Sequence, residues 1–440
     1  MGISNFPASL QPIIQQGFLE REFEQALRSR LGYRMVADRE SFAVGIGETL
    51  TKTRAGLKPS VTTPLAASTN TNLDNGLTPQ GWGVEQYTVT LNFYAATQDL
   101  NMVTSRVGIA SQFLQNASTN GEQAARSLDE LARNALFAPY FGGNTRVLTT
   151  LGTTGPTIAV DDVRGFTTIY VNGVQTAVSA SYPLEVTVGS SVYSLISVTP
   201  DLNSTSSTPG GLSGQLTFAS DVVVSDGTAG NPVIAATASK IIRPSGLLTT
   251  SALQAGNTLT MSVLLDAVAS LRQNAVPEID GAYNCYLDPV SARQLFSDPD
   301  FRQLFQGATS NNPVFRQGMV NDFLGLRFVT TTEAIVQPLT NSGGLAIRRP
   351  IICGKGALIE ADFAGIGAED VAPKDALVNI IDSVAMVTRE PIDRLQQIIA
   401  QSWYWIGGFC APSDTTTTPI VVPTATNANF KRAVMIEHIG

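Results

Sequence analysis

The 440-residue chain carries one histidine, His438, close to its last residue. A lone imidazole there removes Ser-His-Asp and Cys-His nucleophile systems from expectation, and every metal site that needs two histidines. Cys285, Cys353 and Cys410 are an odd count with no CxxC spacing, so they read as small buried hydrophobes rather than a disulfide framework or a zinc site. Adjacent acids occur at Asp161-Asp162 and Glu369-Asp370; such pairs in glycine-rich loops are usually solvated, and a glycosidase-type pair is the minor alternative. Gly45-Ile46-Gly47 near Lys52 fails as a nucleotide loop, because Leu50 stands where a dinucleotide motif wants glycine and no Gly-Lys pair follows. Gly354-Lys355-Gly356 is a turn. No catalytic, metal or cofactor-binding set is predicted.

Without a reactive centre, the weight falls on the elements themselves. Hydrophobic residues make up 43% of the chain and charged residues only 15%, with a net charge of −8. That is ample for a core, but the charge is well below the roughly 25% of an average soluble domain. A chain so poor in charge fits one that covers much of its surface with copies of itself, and equally a β-rich secreted protein. Its acidity argues against tight gripping of DNA, since phosphate contacts supply most non-specific affinity. No signal peptide opens the chain and no apolar run reaches the roughly 18 residues of a membrane span, so synthesis and folding in the cytoplasm are expected.

In chain order, 1–40 reads as an arm with a short amphipathic helix carrying Phe18, Phe23 and Leu27. Residues 41–95 hold two extended segments around a polar tip, Gly56 to Gln80; the return strand, Trp82 to Phe93, alternates cleanly. Such a ribbon is only marginally stable alone and needs a neighbour to lie on. Residues 96–145 read as helix in two parts, loosened at Asn120-Gly121, with a stripe at Ala124, Leu128, Leu131 and Ala135, and stopped by Pro139 and Gly142-Gly143. Residues 146–245 are a run of short strands with turn signals, predicting an inserted barrel or sandwich. In 246–375, a helix over Thr258 to Gln273 capped by Thr258 precedes a strand, Ala282 to Leu287. Asp288-Pro289 then starts a helix, Asp298-Pro299 starts a second, and after a polar loop Gly325 leads into the strand Leu326 to Thr332. Residues 376–410 hold two long β-prone runs, Ala376 to Thr388 and Leu395 to Phe409, and 411–440 form a C-terminal extension.

The order strand, Asp-Pro, helix, second helix, polar loop, Gly-Leu-Arg-Phe-Val, Thr-Thr resembles the axial domain of tailed-phage major capsid proteins. The nearest resemblance is to the coat protein group of the N4-like podoviruses, within the Hong Kong 97 fold; Ala124-Ala125-Arg126-Ser127-Leu128-Asp129-Glu130-Leu131 is similar to its spine helix. The resemblance implies an α+β chain with an N-terminal arm, an extended β-ribbon loop, a spine helix, peripheral and axial domains, and an inserted all-β domain. It implies a virion protein that assembles with itself as hexamers and pentamers around double-stranded DNA, with a portal protein and, in some shells, scaffolding and decoration proteins as partners. Inter-subunit contacts are then expected in the ribbon at Lys52, Arg54, Lys58, Trp82 and Glu85. They are also expected in the arm at Phe18, Phe23 and Leu27, and in the axial domain at Arg316, Asn321 and Asp322. Some shells of this fold cross-link a loop lysine to a neighbour's asparagine, a part open to Lys52 or Lys58. From the residues alone, a glycan-binding adhesin is the alternative, with Tyr170, Tyr182 and Tyr193 as its stacking platform.

Overall fold

A computed structural model describes residues 32–42, 49–55, 84–101, 112–171, 174–201, 212–247, 250–301, 322–323, 325–339, 345–363, 377–389, 398–413, 421–422, 425–426 and 430–440. After a 3-10 turn at Tyr33–Val36 come β1 (Ala37–Phe42), β2 (Thr49–Ala55), β3 (Val84–Thr90) and β4 (Asn92–Asn101). The helix α1 follows, Gln112–Phe141. It is one unbroken element of 30 residues, about 45 Å long, so the expected break at Asn120-Gly121 is absent. A mid-helix glycine costs about 1 kcal/mol, which the packing of both helix halves outweighs. Pro139 lies inside the last turn rather than ending the helix. Gly143, at φ +76°, ends it, and its amide donates to the Arg164 carbonyl at 2.8 Å.

Next come β5 (Asn144–Arg146), β6 (Gly155–Val160), the hairpin β7 (Thr168–Val171) and β8 (Val174–Ala177), β9 (Leu184–Val188), β10 (Ser191–Pro200), β11 (Gly214–Val222) and β12 (Pro232–Ala235). Six of these form one sheet in the order β5-β12-β9-β10-β11-β6. Its two ends meet: Val147 bridges Val160, and the Leu148 amide donates to the Ala159 carbonyl at 2.8 Å. The sheet therefore closes into a barrel. Inward residues alternate along each strand, as in Leu184, Val186 and Val188, and they fill a core drawn from this segment alone.

Beyond β13 (Ile241–Ile242), α2 spans Met261–Gln273, β14 Tyr283–Leu287 and α3 Pro289–Ser297. Asp288 caps α3 as the Asp-Pro signal predicts, accepting from the amides of Val290 at 3.1 Å and Ser291 at 3.4 Å. Thr258 does not cap α2; that helix starts at Met261, whose amide donates to Asp298 Oδ2 at 2.7 Å. The cap is borrowed from the far end of α3. The chain then supplies β15 (Asp322–Phe323), β16 (Leu326–Thr330), β17 (Val336–Leu339), β18 (Leu345–Arg348), β19 (Ile351–Cys353) and β20 (Leu358–Phe363). It ends with β21 (Leu377–Ile381), β22 (Val384–Arg389), β23 (Ile398–Cys410), β24 (Val421–Val422), β25 (Ala425–Thr426), β26 (Ala433–Ile436) and β27 (His438–Ile439). The first expected long run is thus a hairpin. It turns at Asp382 and Ser383, both in the left-handed region at φ 51° and 67°. The alternating return run of the ribbon likewise divides at Leu91, and β4 leaves the ribbon to pair with β23.

Two larger sheets lie on α1. The first has the order β1-β20-β23-β22-β21, with β4 on the other side of β23. Its Val384, Met386, Trp403 and Trp405 pack on Ala117, Ala124, Ala125 and Leu128 of α1. The second, β13-β26-β19-β14-β16-β15, is covered on both faces. Cys285 and Leu287 face the α2 and α3 side, while Tyr286 joins Leu136, Phe137 and Tyr140 of α1. That double cover explains the continuous apolar character of β14. Truncating Trp405→Ala, a fully buried ring between β23 and α1, is expected to cost about 3–5 kcal/mol in chemical denaturation; a loss below about 1 kcal/mol would show that α1 does not depend on it.

Candidate assembly surfaces and buried polar clusters

The structure does bring a serine, a histidine and an aspartate together, contrary to the expectation from a lone terminal histidine. β27 inserts His438 beside α3, with Nε2 2.7 Å from Ser291 Oγ, and Ser291 also bonds Asp288, which pairs with Arg348. The order is wrong for nucleophilic catalysis. His438 Nδ1 lies 3.1 Å from the Ile439 carbonyl, a neutral backbone acceptor where a triad has its carboxylate, while Asp288 engages the serine instead of orienting the imidazole. Ser291 and His438 are fully buried. Burial holds the imidazole down at about pKa 4, and therefore neutral.

One residue earlier, Glu437 sits between Arg243 Nε at 2.7 Å and Arg349 Nε at 3.0 Å. Burial alone would push this carboxyl up. The two guanidinium groups and the hydrogen bonds from Arg349 and Thr250 outweigh that and hold it at about 2. The pair Asp161-Asp162, expected in solvent, is buried, with Asp161 on Arg146 and Asp162 on Arg164. These are buried structural ion pairs rather than a glycosidase pair. Cys285 and Cys353 are buried as expected, and burial raises both thiols; Cys410 is only half-buried and pushed up to about 11. Among the described residues no cluster of three or more His, Cys, Asp or Glu could hold a metal ion.

The ribbon base is tied to its own chain. β2 and β3 pair from Thr49 opposite Thr90 to Ala55 opposite Val84. Lys52 forms an ion pair with Glu40 of β1, and Tyr87 Oη donates to the same carboxylate at 3.1 Å. Arg54 donates to the Gly356 carbonyl at 3.1 Å and lies over the Tyr87 ring. Val89 is buried against Ala361. Lys52 and Arg54, expected at inter-subunit contacts, thus both have partners within the chain. The backbone of Glu85 stands opposite Arg54, and Asp322 opposite Arg327. Lys58, Trp82, Phe18, Phe23, Leu27, Arg316 and Asn321 lie outside the described residues, as does Glu369-Asp370.

The exit of the N-terminal segment is held by a residue that the sequence did not single out. Asp129, mid-way along α1 and buried, accepts from the amides of Gly32 at 2.9 Å and Arg34 at 3.2 Å. Burial raises this carboxyl despite those bonds. Arg34 then forks onto Glu360 of β20, with Nη2–Oε1 at 2.6 Å and Nε–Oε2 at 3.0 Å, and reaches Asp382 at 3.2 Å. Only the scarcity of charge hinted at such clusters, since each ion-paired side chain inside a core must be matched. On the barrel, Tyr193 is a core residue whose hydroxyl donates to Asp226 at 2.8 Å, so it cannot join Tyr182 in an exposed stacking platform. A cleft of about 480 Å³ runs between the ribbon, the end of α1 and the barrel, past Tyr87, Pro139, Leu212, Phe409 and Phe430; its one arginine, Arg164, is engaged by Asp162.

Acid should act first through His438 and then through Glu437. Unfolded His438 takes up a proton near 6.5 and the folded residue only near 4, so the fold loses stability as pH falls through that window, by about 3 kcal/mol at most. Glu437 extends the loss from 4.5 down to about 2. Denaturation at stepped pH should show both, and H438Q should flatten the upper step alone; an unchanged upper step in H438Q would assign it to other groups.

No protein-family model matches the sequence, and no curated protein does. Among solved structures, the capsid of Ralstonia phage GP4 aligns with a TM-score of 0.51 at 10% identity, covering 94% of this chain and 92% of that one. The capsid of the cyanophage P-SCSP1u aligns at 0.48 and 10% identity, over 93% and 89%. The mixed α+β architecture described above is therefore similar in fold to the capsid of Ralstonia phage GP4.

Proposed function

We propose that this chain is the major capsid protein of a tailed bacteriophage, a structural and non-enzymatic component of the virion, assembling with itself into a closed shell. The observation that carries the reading is the likeness in fold over nearly the whole length of both chains to the capsid of Ralstonia phage GP4. Three features of the molecule support it. The charged residues are few, and many are spent inside the chain on buried pairs such as Arg34–Glu360 and Arg243–Glu437. The buried Ser291–His438 contact has no room for a substrate. The described base of the ribbon is anchored on its own chain through Lys52 and Arg54, and we assign the overlap with a neighbour to 56–83.

In this reading 1–40 is the arm, 41–95 the extended loop, 96–145 the spine with 376–410 as the peripheral domain, 246–375 the axial domain, 146–245 the insertion and 411–440 the C-terminal extension. Axial domains meet as hexamers and pentamers and the shell encloses double-stranded DNA, which its acidic wall leaves unbound. Arg316, Asn321 and Asp322 lie toward the axial contacts, and Phe18, Phe23, Leu27, Lys58, Trp82 and Glu85 toward neighbours under the arm and ribbon. Portal, scaffolding and decoration proteins are the partners such a shell takes. Kinship with the N4-like podovirus group rests on 124–131 and 325–332.

Electron microscopy and light scattering of the purified chain test the assembly. Closed particles or five- and six-fold rings are expected, and a chain that stays monomeric even when expressed with the other head proteins of its phage would overturn the reading. Deleting 56–80 is expected to abolish shells while leaving a soluble subunit with wild-type unfolding; shells of normal size from that variant would remove the ribbon from assembly.

A further inference from the structure

Among the described residues the sheet built on β23 ends at β4 on one side and at β21 and β1 on the other. β4 lies along one side of β23, from Asn101 opposite Ile398 to Asn92 opposite Gly407, and β22 lies along the other, with β21 folded back on β22. Among the described residues no strand pairs with the outer side of β4 or of β21. A free edge is a row of unpaired amide and carbonyl groups, and soluble chains blunt it with lysine, proline or a bulge. Neither edge is blunted here. β4 reads Asn-Phe-Tyr-Ala-Ala-Thr-Gln-Asp-Leu-Asn, with one charge, and β21 reads Leu-Val-Asn-Ile-Ile, with none; both registers run without a shift.

The side chains point to the same two edges. Tyr94, Ala96, Trp403 and Trp405 face α1, so by alternation Phe93, Ala95, Tyr404 and Ile406 occupy the opposite face. Ile380 pairs with Ala385, Ala385 with Tyr404, and Tyr404 with Ala95, one row across the sheet, which puts Ile380 on that face too. Phe93 is 65% exposed and Ile380 45% exposed. They are the two exposed large apolar residues of this sheet among the described residues, and they stand on its opposite edges. Strand direction fits as well. Along β21-β22-β23-β4 every pair is antiparallel, so the strand that continues the alternation beyond β4 must run as β21 does.

We propose that this sheet continues from one copy of the chain to the next, β4 of one pairing antiparallel with β21 of another and burying Phe93 with the partner's Ile380. The inference rests on the self-assembly reading and names one contact within it. The two edges differ, so the contact is heterologous and repeats around a ring. A β21 of five residues covers far less than the roughly 800 Å² per partner of a standard interface, so the contact forms only together with others in the shell.

Full-length chains carrying Phe93→Cys, Ile380→Cys or both, each with Cys410→Ala, are assembled, treated with a short bismaleimide and run on denaturing gels. The double variant is expected to give a ladder of dimers, trimers and higher species, and each single variant only monomers. Particles of the double variant without cross-links would overturn the edge contact and leave the assembly reading standing; dimers from F93C alone would overturn it in favour of a two-fold contact. Failure of the unmodified chain to assemble at all would instead sink the assembly reading, and this proposal with it. If only the cysteine variants fail to assemble, hydrogen exchange on unmodified particles decides. Amides of β4 should exchange at least tenfold more slowly than in dissociated subunits, and unchanged exchange there overturns the contact.

Discussion

One thirty-residue helix has to serve two cores, and the rest of the fold is arranged around that demand. The first half of α1 offers alanines, Ala117, Ala124 and Ala125, because Trp403 and Trp405 supply the bulk from the sheet. In the second half Leu136, Phe137 and Tyr140 are themselves large and meet large residues, Tyr33, Tyr286 and Ile351, along with the small Cys353 and Ala357. The continuous helix couples the two sheets.

The polar clusters sit where these units join. Asp129 ties the helix to Gly32 and Arg34, and Arg34 ties both to Glu360 and Asp382 of the sheet across from it. Glu437 joins Arg243 and Arg349, from segments far apart in sequence. Buried pairs of this kind add little net stability, because desolvation offsets attraction, but removing one partner is costly. Their effect here is to admit only one way of seating the segments.

The Ser291–His438–Asp288 contact shows how little proximity alone means. The residue types are those of a hydrolase, yet a backbone carbonyl stands at Nδ1 where the carboxylate should be, Asp288 engages the serine, and the site is sealed. The neutral imidazole instead satisfies a buried hydroxyl where β27 is fastened to α3. Its function is to hold the C-terminal strand.

What the sequence determined by itself was local. Asp288-Pro289 specifies a helix start, since an acceptor and a fixed φ act within three residues, and the alternation of Leu184, Val186 and Val188 specifies which side faces the barrel core. The stripe along 124–135 was legible for the same reason. Tertiary structure decided the rest. A glycine at 121 reads as a break until the sheet of β23 packs on Ala117 before it and Ala124 after it. Asp161-Asp162 reads as solvated until Arg146 and Arg164 fold over it. Gly408 reads as an ordinary strand residue, but a Cβ there would stand 2.1 Å from the Thr90 carbonyl oxygen, where the ribbon crosses β23. The closing of the barrel at Val147 and Val160, and the seat of His438 beside Ser291, follow equally from contacts between distant segments. A propensity of about 1 kcal/mol per residue governs only where nothing larger opposes it. Burial of whole side chains, at about 1.5–3 kcal/mol each, is larger, and it exists only once the chain has folded.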